Sequence, residues 1–223
     1  CRSPPLKSFH CVHPQIADAD LDVLALLAGG DREAVEFGFH LLRQLRLLSG
    51  KDRFVAHDDV LRQFLRLTPA QRRQGIAAAW LQLTDWSELT LALRHDGRLR
   101  LRRLLTVFGT LKPKELFERL GEGRRLLVRF LLRLEEGVWY ALPALSETLR
   151  AVAGDKLADQ TLWQGQRDAK WWLDWDGAGQ LDPRLPEDWA LGYGRFVVEA
   201  LRGPLAWLGV ATVAEAGGEL AFR

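Results

Sequence analysis

Apolar positions recur at helical spacing along most of the chain. Asp18 to Leu27 reads as a short helix stopped by Gly29-Gly30. Asp31 caps a longer helix over about Arg32 to Leu48, rich in apolar residues from Val35 onward and ended by Gly50. Arg53-Phe54-Val55-Ala56 is a short strand-like piece. Asp58 caps a helix reaching about Leu67, with Val60, Leu61, Phe64 and Leu65 on one face. Thr68-Pro69 starts the next helix with a cap residue and a proline in the first turn. That helix carries Ile76, Ala77, Trp80, Leu81 and Leu83, and a shorter one follows around Trp86 to Leu93. After a turn at His95-Asp96-Gly97, the leucines of Arg98 to Leu111 suit a helix better than a strand.

Lys112-Pro113 interrupts the pattern, and a second series begins. Glu122 to Leu134 is amphipathic and ends at Gly137. Val138-Trp139-Tyr140 reads as a strand, and Leu142 to Val152 as a helix begun by Pro143. Residues 154–186 form a Trp-, Gly- and Asp-rich insert, in which Lys170 to Trp175 resembles a strand and Asp176-Gly177 a turn. Pro186 to Leu208 predicts a long helix, kinked or broken at Gly203-Pro204. Val210–Val213 and Glu219–Phe222 read as two strands of a hairpin across Gly217-Gly218.

The order helix, short strand, helix, tight turn, helix is that of a winged-helix unit, and a second unit runs helix, strand, helix, insert, helix, hairpin. The first lacks a clear wing and is degenerate; the second ends in a hairpin. The expected fold is therefore mainly α, with tandem winged-helix-like units and short β-hairpins. Residues 1–30 form an arm and short helix, 31–111 the degenerate unit, and 112–223 the second unit with its insert.

Composition narrows the class. The chain has 223 residues, 48% of them hydrophobic, which excludes wholesale disorder. No apolar run approaches the roughly 18 residues of a membrane span, so no membrane partner is expected. There are 43 Leu but 2 Ile, 25 Arg but 6 Lys, and no Met or Asn. This bias is that of a high-GC genome, and the lack of heat-labile Asn is a thermophile's trait. Both cysteines, Cys1 and Cys11, lie at the start, so no disulfide framework underlies the fold. Cys1, His10, Cys11 and His13 match no standard zinc spacing, and an irregular arm is the plainer reading. No signal-peptide pattern follows Cys1, and cytoplasm is the default compartment.

Charge is distributed unevenly. The formal net charge of +2 conceals a neutral stretch over residues 1–93, a net +8 over 94–134 and a net −6 over 135–223. A basic segment of this density is the footprint of phosphate contacts, or else a solvated helix face. Three groups stand out within the candidates. Gln71, Arg72, Arg73 and Gln74 lie in the first turns of the helix after the Leu67-Thr68-Pro69 turn. A recognition helix presents such residues to the major groove, where Arg bonds guanine and Gln bonds adenine. Arg98, Arg100, Arg102 and Arg103 are the densest cluster; on a strand, 98, 100 and 102 would share a face. Arg124, Arg125, Arg129 and Arg133 form a stripe, the last three at four-residue spacing, with Glu122 and Glu136 as possible partners.

Other constellations point away from catalysis. No Gly-Lys-Ser/Thr phosphate loop occurs. Trp163, Trp171, Trp172, Trp175 and Trp189 with Asp174, Asp176 and Asp182 permit a carbohydrate cleft or a stacking platform. Core packing is the simpler role for so much aromatic surface. No Ser/His/Asp or Cys/His set is visible; His40 lies in an apolar helix, and His57 and His95 sit at element boundaries. Residues 189–208 hold few cations and many apolar side chains, so that helix is a poor groove reader and a candidate protein or homodimer interface.

Two passages carry a family resemblance. One is Thr68-Pro69-Ala70-Gln71-Arg72 with Ala79-Trp80 and Asp85-Trp86-Ser87-Glu88-Leu89. The other is Glu187-Asp188-Trp189, Phe196-Val197 and the run Leu201 to Val210. Arg125 and Gly137-Val138-Trp139-Tyr140 lie between them. Together they resemble the winged-helix region of bacterial helicase-associated, XPB-like proteins. The resemblance spans roughly residues 33–223 and implies tandem winged helices, a DNA-linked role and a longer parent chain. It carries over no catalytic residue. The expectation is a non-catalytic DNA-binding or DNA-processing accessory module, without cofactor or metal. It would hold DNA through Arg98, Arg100, Arg102, Arg103, Arg125, Arg129 and Arg133, and read bases through residues 71–74. The alternative is a protein-interaction or dimerisation scaffold.

Overall fold

The computed structural model describes residues 16–50, 54–103, 105–106, 109–110, 113–157, 162–163, 166–167 and 171–223. The Cys1, His10, Cys11 and His13 group lies outside them. The chain is mainly helical with small antiparallel sheets. It divides into two compact units, one ending at Trp86 and the other beginning at Ser87. Residues 87–111 thus group with the second unit.

In the first unit, α1 (Asp18–Leu27) and α2 (Arg32–Gln44) pack together. Asp31 caps α2, its carboxylate accepting from the Ala34 N–H at 2.9 Å. The two-residue strands β1 (Leu48–Ser49) and β2 (Val55–Ala56) pair, with Leu48 opposite Ala56. Helices α3 (Asp58–Arg66) and α4 (Pro69–Leu81) follow, joined by a tight turn. A full capping box starts α4: the Gln71 N–H donates to Thr68 Oγ1, and the Thr68 N–H donates to Gln71 Oε1. Phe37, Phe39, Leu41, Leu47, Trp80, Leu83 and Trp86 form the buried core of this unit.

The second unit opens with α5 (Glu88–His95), capped by Ser87 and buried over most of its length. It leads into β3 (Leu99–Arg103), a strand where the leucine count predicted a helix. The reason is the period. Leu99 and Leu101 alternate with Arg98, Arg100 and Arg102, which suits one buried and one exposed face. Strand β3 pairs antiparallel with β9 (Trp171–Trp175), aligning Leu99 with Trp175 and Leu101 with Leu173. The insert thereby supplies the partner strand for the basic segment. β10 (Gly179–Gln180) completes this three-stranded sheet, while β4 (Leu105–Thr106) pairs with β5 (Gly109–Thr110), and β7 (Leu162–Trp163) with β8 (Gln166–Arg167).

The rest of the unit runs α6 (Pro113–Leu131), β6 (Tyr140–Ala141), α7 (Leu142–Leu157), α8 (Pro186–Leu191), α9 (Tyr193–Ala200), then β11 (Val213–Ala216) and β12 (Glu219–Phe222). A second sheet has the order β11-β12-β6, all antiparallel. Gly217 and Gly218 close its hairpin with φ of 64° and 84°, the left-handed pair a two-residue turn requires. The predicted long helix is divided. Gly192 separates α8 from α9, and the chain kinks after α9 at Gly203, whose φ of −94° and ψ of −105° are not helical. Pro204 follows it, with no N–H for the regular ladder.

Helix α9 is central to the core and packs on α5 and α7. Phe196, Val197, Leu201 and Leu205 are each at most 3% exposed. The face expected to offer a protein or dimer interface in residues 189–208 is therefore largely consumed inside its own unit. Burial of such side chains stabilises by roughly 1.5–3 kcal/mol each, which explains why this helix turns inward. Two tryptophans of this region are packing groups: Trp175 and Trp189 are buried, and the Trp189 indole N–H donates to Ser146 Oγ at 2.9 Å, while Trp172 is half-buried. Among the described residues, no helix is long and apolar enough to cross a membrane.

Candidate nucleic-acid interface

The three predicted basic groups have different fates. Arg98, just before β3, and Arg100 and Arg102 on it alternate with the leucines, but acidic residues meet them. Arg100 reaches Asp176 Oδ2 at 3.2 Å, and Arg102 reaches Asp174 Oδ2 at 3.2 Å. Both aspartates belong to the strand and turn that pair with β3. Arg98 lies over the Trp175 ring at 4.5 Å and 3.8 Å from Asp96. Arg195 approaches the same ring and bonds the same aspartate, at 2.8 Å. The net charge presented by this cluster is small, so it is not the free basic wing that its composition implied. The Arg103 side chain lies outside the described residues.

Helix α6 gives the opposite result. Leu120, Arg124 and Leu127 lie on its buried face, while Arg125 and Arg129 lie on the exposed face one turn apart. Arg133 is also exposed, two residues beyond the end of the helix. Arg125, Arg129 and Arg133 make no ion pair among the described residues, and neither Glu122 nor Glu136 is paired with them.

Arg124 leaves the predicted stripe altogether. It is fully buried, and its Nε lies 2.9 Å from each oxygen of the equally buried Glu88. This pair ties α6 to the start of α5. Its sequence signal is the position of Arg124 four residues after Leu120 and three before Leu127, on the apolar stripe.

At the start of α4, Gln71, Arg73 and Gln74 are exposed and Arg72 is half-buried. Gln71 is committed to the capping box, so its carbonyl oxygen is not free to accept from a base. Arg72 and Arg73 make no ion pair among the described residues.

His57 and His95, for which the sequence offered no evident partner, each have one, and His40 faces a carboxylate. His40 is buried, its Nδ1 3.2 Å from Asp85 Oδ2, which also takes an Arg43 N–H at 2.9 Å. His95 Nδ1 lies 3.0 Å from Glu199 Oε1. His57 Nε2 lies 2.6 Å from Ser49 Oγ, at the edge of a recess shared with Arg43, Arg46 and Gly50. Residues 46, 49 and 57 come together only through the β1–β2 pairing, which sequence spacing did not reveal. Among the described residues no cluster of His, Cys, Asp or Glu has the makings of a metal site.

One tyrosine is strongly perturbed. Burial pushes the Tyr193 hydroxyl up to about 12; the Leu173 N–H it accepts opposes this, and the Asp182 and Asp188 carboxylates add to it. It is a core group at the base of the β3–β9–β10 sheet and carries no proton in or out near neutrality.

Comparison with protein-family models, with curated proteins and with solved structures finds no match to this chain.

Proposed function

We propose that the chain is a non-catalytic DNA-binding or DNA-processing accessory module, and that its phosphate contacts gather on α6. The observation that carries this reading is the row Arg125, Arg129 and Arg133, exposed and free of ion pairs among the described residues. Arginine left unpaired on a helix face is the group best suited to charge-assisted bonds with phosphate oxygens. The β3 arginines contribute little, because Asp174 and Asp176 already offset two of them.

The fold reading consistent with this role is a winged helix. In the second unit the order α6, β6, α7, α8–α9, β11–β12, with the sheet order β11-β12-β6, supports it. The resemblance to helicase-associated proteins agrees with the same order. Because α9 is buried, this unit grips the backbone rather than reading bases. Any base contact falls to Arg72, Arg73 and Gln74 on α4 of the first unit, the second helix of a helix-turn-helix arrangement.

A second reading has its own observation. Val23, Leu24, Leu26 and Leu27 of α1 are all exposed, a dense apolar face that fits a protein-interaction scaffold.

The two readings separate in one experiment. Fluorescence anisotropy of labelled duplex and single-stranded DNA is followed with the wild-type chain and with R125E/R129E/R133E. The DNA reading expects binding that the triple reversal removes, while R100E/R102E retains most of it. Absence of binding by the wild-type chain to either form rejects the DNA reading and favours the scaffold.

A further inference from the structure

The end of α2 is built in an unusual way. Its last turn closes with the Arg46 N–H donating to the Arg43 carbonyl at 2.9 Å and the Leu47 N–H donating to the Leu42 carbonyl at 2.8 Å. This is a Schellman cap, whose left-handed position is usually glycine. Here that position is Arg46, with φ of 59°, the one non-glycine residue of positive φ among those described. A side chain there works against the backbone, which directs attention to what the Arg46 side chain borders. Arg46 is exposed and makes no ion pair among the described residues.

What Arg46 borders is a recess of about 320 Å³, lined also by Arg43, Leu48, Ser49, Gly50 and His57. Its polar lining is rich in donors. Arg43 spends one N–H on Asp85, which offsets its charge, while Arg46 has no such acid among the described residues. Ser49 and His57 are bonded to each other at 2.6 Å. When His57 Nε2 carries the proton and donates it to Ser49 Oγ, the serine hydroxyl is left to donate to a third group. No carboxylate orients His57 from its other nitrogen among the described residues, so the pair lacks the third member that activates a serine nucleophile. The volume sits at the lower end of small-molecule sites, which suits a charged head on one short substituent rather than a passing polymer.

We propose that this recess binds a phosphate group carried on a single organic substituent, with Arg46 as the principal cation and the Ser49 hydroxyl, oriented by His57, as a further donor. Tetrahedral phosphate offers several acceptor oxygens and so uses donors arriving from separate chain positions, as these do. The site belongs to the first unit and does not depend on the α6 arginine row. Its ligand has two sources with one chemistry: a free phosphomonoester, or the terminal phosphate of a nucleic-acid strand.

The test uses the ¹⁵N-labelled full chain and amide chemical shifts. A nucleoside 5′-monophosphate is titrated against its parent nucleoside and against sulfate. Saturable shifts at residues 46, 49, 50 and 57 are expected with the monophosphate, and not with the nucleoside. Two variants decide the assignment. R46G relieves the left-handed strain, so it should melt no lower than wild type, yet its affinity should fall about tenfold or more, as loss of a charged hydrogen-bond donor implies. S49A should weaken binding by a smaller factor. An oligonucleotide with and without a 5′-phosphate then separates the sources. Stronger binding of the 5′-phosphorylated oligonucleotide than of its unphosphorylated form, measured in R125E/R129E/R133E, identifies a strand end, and equal binding of the two forms identifies a free monoester. No shift at millimolar monophosphate, equal binding of sulfate, or unchanged affinity in R46G would overturn the proposal. These results are independent of R125E/R129E/R133E, so failure here leaves the DNA reading standing, and the converse.

Discussion

Replacing Arg124 with Met is the severest single change that the second unit's structure points to. Arg124 and Glu88 are both completely buried, with the Arg124 Nε 2.9 Å from both carboxylate oxygens. Met keeps most of the stem and removes the guanidinium, leaving the carboxylate in a low-dielectric interior without that partner. Breaking a buried pair in this way costs about 3–5 kcal/mol. For a unit of this size that is a fall in Tm of roughly 10–20 °C. The double variant E88L/R124M removes both charges and substitutes apolar groups of similar bulk, so it should recover most of the loss. The assay is urea unfolding of the full chain followed by circular dichroism, for wild type, E88L, R124M and the double variant. A coupling energy of about 2 kcal/mol or more is expected from the cycle. A cost below about 1 kcal/mol for R124M, or additive single effects, would refute the view that this pair clamps α6 to α5.

Three further outcomes follow from local geometry. A Cβ on Gly192 would lie 2.5 Å from Leu181 Cδ1 and 3.2 Å from Leu173 Cδ1; G192A should therefore lower stability by about 1–3 kcal/mol in thermal melts. A Cβ on Gly194 would meet Trp189 Nε1 at 2.8 Å and Ser146 Oγ at 3.0 Å, so G194A should show a comparable loss with a shifted Trp emission spectrum. Tyr193 has a hydroxyl raised by burial to about 12 from the ordinary 10. The native state then keeps its proton where the unfolded chain releases it, so this stability is intact below pH 10 and is lost as pH rises toward 12. The loss amounts to roughly 2–3 kcal/mol, and Y193F should remove it, as read from unfolding free energies across that range.

What was legible in the sequence was mostly local. Asp31, Thr68 and Ser87 sit where caps belong, so the starts of α2, α4 and α5 follow from neighbouring residues. Gly217-Gly218 likewise announces the last hairpin. The lack of cations on residues 189–208 pointed to burial against protein, but not to burial inside the chain's own unit. The failures are non-local. Strand β3 looked helical because Leu104, Leu105 and Phe108 extend its leucine pattern, while the partner that makes it a strand lies some seventy residues on. For the same reason Asp174 and Asp176 could not be matched to Arg102 and Arg100. Arg124 was counted as surface charge because its acid, Glu88, belongs to another helix. Arg46 escaped notice since a left-handed arginine at a Schellman cap departs from the glycine preference on which sequence reading relies.

The central claim is that the α6 row holds the DNA backbone, and its most direct measurement is the salt dependence of affinity. Anisotropy titrations of the full chain on a short duplex, between about 50 and 200 mM salt, give the slope of log K against log salt. Three phosphate contacts predict a slope of at least about −2 and up to roughly −3, and R125E/R129E/R133E should abolish the binding that carries it. A wild-type chain that does not bind at about 50 mM salt, or a triple variant with the wild-type affinity and slope, would contradict the account.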